Sequence, residues 1–199
     1  MEHAVPPAQE FDDLTALWRM VELCLPSHEV CASATFLPRG AQTFDQDWQA
    51  WSTETFGPVL RPALLALQRF ASGVSPSELL SQDAALGAAL PDLAAWRSLA
   101  AGRRLLLDFT PPQGSRLLER LRLAAGGNES TGHLATIYAV RAHIFHLPAV
   151  QVAASFLLAE CVLGAASAGL TLPARRTASL MRSACSAAAS GDEVQLLAV

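Results

Sequence analysis

Ala149-Val-Gln-Val-Ala-Ala-Ser-Phe-Leu-Leu-Ala-Glu160-Cys-Val-Leu-Gly-Ala-Ala-Ser-Ala-Gly-Leu-Thr-Leu172 is the stretch whose reading decides the fold. Across 149–170 only Glu160 carries a charge, and Gln151 and Ser155 are its main other polar members. A helix that is apolar nearly all round must be covered nearly all round. A membrane span needs about 20 apolar residues, and Glu160 divides this run into 152–159 and 161–174, each too short alone. The expectation is therefore a buried helix over about 149–171 at the centre of a single bundle. Its second half, Gly164-Ala-Ala-Ser-Ala-Gly169, is nearly smooth and would let a neighbouring helix approach closely.

Outward from this run, Leu147-Pro148 separates it from a helix over 133–146, because proline suits a first helical position and disfavours helix at the residue before it. Pro173-Ala-Arg-Arg-Thr177 closes it before a last helix over 177–189. Upstream, Leu14, Leu17, Trp18, Val21 and Leu25 recur at helical spacing, which predicts a helix over 12–25. The segment 26–46 reads as irregular. A helix over 44–55 carries Trp48 and Trp51 and is expected to stop at Gly57-Pro58, and a further helix over 59–70 is expected to end at Gly73. Ser75-Pro76-Ser77-Glu78 is a helix-start signature. Helices over 93–109 and 113–124 follow, the latter cationic through Arg116, Arg120 and Arg122 and ended by Gly126-Gly127. No run alternates apolar and polar residues with β-branched enrichment. The fold class is all-α, with seven to nine helices in one domain over 12–190, a flexible arm over 1–11 and a short tail over 191–199.

Of the 199 residues, 51% are hydrophobic and 16% charged, which excludes a disordered chain. All fourteen cations are arginine, and the net charge is −4. That balance argues against a sequence-independent nucleic-acid binder, which needs a basic face. So little charge with so much apolar surface favours a partner, and a homodimer is expected. Cys24, Cys31, Cys161 and Cys185 form no Cys-x-x-Cys pair, and 1–10 offers no cationic and apolar leader. Free thiols in the cytoplasm are the expectation.

Three constellations invite a chemical reading. His143-x-x-His146 puts two imidazoles on one helix face, with His133 ten residues earlier; such a pair can share a metal, but the structural alternative, a helix-terminal histidine favoured by the dipole, is preferred. Glu160 is a carboxylate among apolar neighbours, costly unless paired or neutral. It reads either as a catalytic or relay acid or, preferably, as the partner of an arginine at a bundle edge or subunit contact. Arg175-Arg176 and the 116–122 cations suit phosphate or an acidic partner, or are a solvated face. Nucleotide loops, His-Glu-x-x-His and Gly-x-Ser-x-Gly are absent. No catalytic residue, metal site or cofactor is assigned, and an enzyme is not expected.

In their order and spacing several segments resemble the urease accessory protein UreF family. His133-Leu-Ala-Thr-Ile-Tyr-Ala-Val140 leads to His146-Leu-Pro148 as in that family, and Ala165-Ala-Ser-Ala-Gly-Leu-Thr-Leu-Pro173 is similar to the end of its long apolar helix, with Pro173 and Thr177 in register. Gln82-Asp83 with Leu86 resembles a Leu-Asp pair of the family, and Arg97 through Gly102-Arg103-Arg104-Leu105-Leu106 resembles its Glu-x-Arg…Gly-Arg-x-Leu-Leu segment. The chain departs from it over 25–42, where only Pro26 and Val30 can be placed. Arg175-Arg176 replaces a Gly-Gln pair, Ser179 replaces a glycine, and the expected basic tail is not seen. The resemblance implies an all-α, non-enzymatic scaffold that joins a UreD/UreH-type protein and a UreG-type GTPase and helps deliver nickel to apo-urease. It implies partner contacts at Arg175, Arg176, Thr177, Gly102 and Arg103. The alternatives are a UreF paralogue with another client, or an all-α chaperone for a redox or molybdenum enzyme of the TorD type, whose Asp-His pairing near a central loop is not found. Neither a nucleic acid nor a membrane is an expected partner.

Overall fold

A computed structural model describes residues 7–25, 35–71, 76–108, 116–127 and 131–189. Its elements are α1 (Pro7–Cys24), α2 (Phe44–Trp51), a π-helical segment (Ser52–Leu60), α3 (Arg61–Ala71), α4 (Pro76–Ala89), α5 (Asp92–Asp108), α6 (Arg116–Gly127), α7 (Leu134–Ile144), α8 (Ala149–Ser167) and α9 (Ala174–Ala189). Since α2, the π segment and α3 run on without a break, the described residues form eight helical rods and no strand. The all-α bundle is as expected, and among the described residues no helix is long and apolar enough to cross a membrane.

The apolar run lies inside. Helix α8 packs against α1, α3, α7 and α9, and Val152, Phe156, Leu157, Leu158 and Cys161 are buried. Each large aliphatic or aromatic side chain so buried contributes about 1.5–3 kcal/mol. The centre is shared: α7 is buried at every position from Leu134 through Ala142, held by α3, α5, α1 and α6 as well as α8.

Both central helices stop through the same device. At the end of α7, His146 adopts φ 56°, its N–H donates to the His143 carbonyl at 2.9 Å, and the Leu147 N–H reaches the Ala142 carbonyl at 2.9 Å. At the end of α8, Gly169 takes φ 70° and its N–H donates to the Ala166 carbonyl, while the Leu170 N–H donates to that of Ala165. These are Schellman closures, each followed by a leucine packed on the core. The α8 helix consequently ends at Ser167 rather than near residue 171.

Other boundaries move for identifiable reasons. Gly57-Pro58 does not stop the helix over 44–55; the backbone widens into the π segment, within which Pro58 sits, and the Arg61 N–H donates to Phe56 five residues back. The hydroxyls of Ser52 and Thr53 donate to the Trp48 and Gln49 carbonyls at 2.7 and 2.8 Å, supplementing the ladder there. Gly126-Gly127 lies inside α6 rather than beyond it, and α1 begins at Pro7, so 7–11 is helix rather than arm. Gly73, Ser75, Cys31 and the tail 191–199 lie outside the described residues.

Candidate functional site

Two places bring together the residues singled out by sequence, and they are separate. The first is the junction where α4 and α5 meet the start of α7. Asp83 of α4 is buried, and its carboxylate accepts the Gly132 N–H at 2.7 Å, the His133 N–H at 3.0 Å and the Thr136 hydroxyl at 2.5 Å. A carboxylate that accepts the N–H of the N-cap residue and of the residue before it satisfies donors that the helix itself cannot reach and sits at the positive end of its dipole. The next N–H, that of Leu134, donates to the Ser98 hydroxyl of α5 at 3.1 Å. Two glycines allow the approach. A Cβ at Gly87 would overlap the His133 imidazole, and one at Gly102 would overlap the Gly132 carbonyl oxygen and come within 2.6 Å of the Leu134 nitrogen. The His133 Nδ1 is buried without a hydrogen-bond partner among the described residues. Burial holds that imidazole below its ordinary value, against the opposing pull of Asp83. Gly102, expected to face a partner, is buried where α5 crosses the α7 backbone and acts by being small; Arg103, beside it, is half-buried.

The second place is the start of α9. Arg175 and Arg176 are exposed, whereas Thr177 is buried, its hydroxyl donating to the Pro173 carbonyl at 3.2 Å. The Arg176 guanidinium meets Asp45 of α2 at 2.8 Å. With both partners largely in water this pair is worth at most about 1 kcal/mol. The stronger tie between the two helices is the Trp48 indole N–H, which donates to the Leu180 carbonyl at 2.9 Å. Beside this turn a groove of about 430 Å³ runs between α1 and α9. Leu14, Thr15, Trp18, Arg19 and Glu22 form one wall, Leu158 of α8 the floor, and Ala174 with Thr177 the other wall. Thr177 thus links the expected partner loop to a concavity that mixes apolar and charged side chains. Trp18, one of the periodic residues that predict the first helix, is half-buried and opens onto the groove.

Glu160 corrects a further expectation. It stands inside the core rather than at a bundle edge, and its carboxylate accepts the Phe36 backbone N–H at 2.7 Å. Burial raises its pKa to about 7, opposed by the backbone hydrogen bonds of Phe36 and Thr35 and least by the field of Arg97. One turn later Gly164 lies beneath the Phe36 ring, where a Cβ would overlap the ring carbons. At Gly164 the smooth stretch of α8 therefore receives an aromatic ring. Phe36 in turn packs on Phe44, Trp48 and Trp51, with centroids 5.0–5.4 Å away. Glu160 and Gly164 together anchor one loop residue to α8, and the aromatic cluster anchors the same residue to α2.

The histidine pair does not assemble into a metal centre: His143 is half-buried, His146 closes α7, and among the described residues no three potential ligands cluster. Helix α7 carries instead a cation that sequence reading passed over. Arg141 is buried and donates to the Leu23 carbonyl in the last turn of α1 at 3.0 Å, with the Phe145 ring 5.8 Å away. An arginine at the negative end of a helix is stabilised there by the dipole. No family model matches the chain, and no curated protein or solved structure matches it.

Proposed function

We propose that this chain is a non-enzymatic scaffold of the UreF type, which works in the cytoplasm by holding a UreD/UreH-type protein and a UreG-type GTPase while nickel is delivered to apo-urease. One observation carries the reading. The segments that resemble the family (82–86, 97–106 and the start of 133–140) are far apart in sequence, yet Asp83, Ser98, Gly102 and His133 meet at a single junction of short hydrogen bonds and glycine contacts. They set the start of α7, and through it the positions of α4 and α5. The cations near them and near the groove are the half-buried Arg103 and the exposed Arg175 and Arg176, and arginine suits charge-assisted contacts to an acidic or phosphate-bearing partner. Chemistry by the chain itself is not part of this reading: Glu160 faces a backbone amide, and its neighbours are apolar.

The test is co-purification of the full chain with UreD-like and UreG-like proteins. A complex is expected, weakened by Arg175→Glu with Arg176→Glu. Failure to bind either protein, or a tight, stoichiometric nickel site abolished by His143→Ala, would overturn the proposal. A complex with another enzyme's maturation factors in place of these would identify a paralogue with a different client. Light scattering checks the expected homodimer, and a monomer at working concentration would remove that expectation.

A further inference from the structure

The outer face of α5 is built for contact. Leu93 is 60% exposed, Trp96 67% and Leu107 39%. With the exposed Ala100 they recur at helical spacing, so they lie on one face, about 21 Å long. Arg104 is exposed within the same stripe, between Ala100 and Leu107. Helix α6 packs beside α5 and turns Arg116, Arg120, Arg122 and Leu123 to solvent, Leu123 being 78% exposed. In this chain of net charge −4, α5 and α6 together hold six arginines against three carboxylates. Isolated exposed leucines need no explanation, but a Trp and two leucines in line on one helix, framed by arginine, do. Trp and Arg are also the residues that dominate binding hot spots.

We infer that the α5 face, flanked by α6, is a docking surface for an acidic amphipathic helix of a partner protein. The charge selects this occupant. A second copy meeting through the same face would set arginine against arginine, whereas glutamates flanking an apolar stripe would match both components. A lipid surface is the weaker fit, because a helix lying in a bilayer keeps its cations on the flanks, and here Arg104 interrupts the apolar line. The inference deepens the scaffold reading and rests on it, since it says what kind of partner element the expected contact residue Arg103 would lie beside.

The probe is a labelled synthetic helical peptide of about 18 residues with a leucine stripe and glutamate flanks, titrated against the full chain and followed by fluorescence anisotropy. Saturable one-to-one binding is expected. It should weaken at least about tenfold in Trp96→Ala, weaken similarly in Arg104→Glu, and stay unchanged in Leu23→Ala, which removes an exposed leucine from α1. Equal binding of the same stripe flanked by lysine, no saturation, or an unchanged affinity in Trp96→Ala would overturn the inference. So would binding of the chain to phosphatidylserine vesicles in preference to the peptide. If the UreD-like and UreG-like proteins bind the Trp96→Ala chain normally while the peptide fails, only the docking surface falls. If the peptide binds as expected and neither accessory protein does, the surface stands and the scaffold assignment falls.

Discussion

Replacing Glu160 by Gln separates burial from charge. In the native chain the carboxyl titrates at about 7, against an ordinary value of 4.5. Between those two pH values the folded state holds a proton that the unfolded state releases, so stability falls as pH rises through this window. The sign is the reverse of that for a salt-bridged carboxylate. The stabilising proton is fully retained below pH 4.5, and its effect is lost by the time pH passes 7. A shift of this size corresponds to about 3 kcal/mol across the window. Glutamine keeps an oxygen for the Phe36 N–H and never ionises, though its amide protons add a constant cost if they find no partner. The decisive quantity is therefore the change in the stability difference with pH, not the difference at one pH. Urea unfolding at pH 4.5 and pH 8 should show the wild type losing about 3 kcal/mol relative to Glu160→Gln, a relative midpoint shift of roughly 1.5 M for a denaturant slope near 2 kcal/mol/M. Other titrating groups are common to both proteins and cancel. Parallel pH profiles for the two would refute a buried, charge-averse carboxylate at this position.

Three more outcomes follow from the geometry. Asp83→Ala leaves two backbone N–H groups and a threonine hydroxyl without their acceptor at the start of α7; at about 1–3 kcal/mol each for buried donors, the midpoint of thermal unfolding should drop by about 10 °C, and a drop under 2 °C would contradict the capping role. Gly102→Ala drives a methyl into the Gly132–Leu134 backbone and should cost about 3 kcal/mol by overpacking, whereas Gly40→Ala, with nothing near its Cβ, should be nearly neutral when both are compared by urea unfolding. Burial pushes the Cys24 and Cys161 thiols up to about 12, so iodoacetamide at pH 8 followed by peptide mapping should leave both unmodified in the native chain and alkylate them in urea.

Much of the fold was legible because it is written in local pattern. The near-continuous apolarity of 149–170 has one economical solution, enclosure by other helices, and the structure covers most of it over 152–165 while leaving Ala166, Ser167 and Gly169 exposed. Pro148, Pro76 and Pro173 marked helix boundaries because a ring without an N–H is tolerated at a first turn and little else. The same local reasoning failed at Gly57-Pro58, where the aromatic residues before and the leucines after belong to one packed surface, so that continuing as a π segment keeps Phe56 and Leu60 buried. It failed also at Gly126-Gly127, since two glycines permit a turn but do not impose one.

The site was less legible, for a reason that lies in distance along the chain. Sequence by itself determined that the molecule is all-α, that Glu160 is surrounded by apolar residues, and that Arg175 and Arg176 stand in the link before the last helix, which the structure starts at Ala174 so that both fall in its first turn. Only tertiary structure decided what those groups meet: Glu160 a backbone amide 124 residues away, Asp83 the head of a helix some 50 residues on, Arg176 an aspartate 131 residues earlier. Helical periodicity tells which face of a segment is covered, but not by what. The choice of partner for a polar group is made when the helices pack, because a buried donor or acceptor must be satisfied by whatever the neighbouring helix happens to bring within about 3 Å.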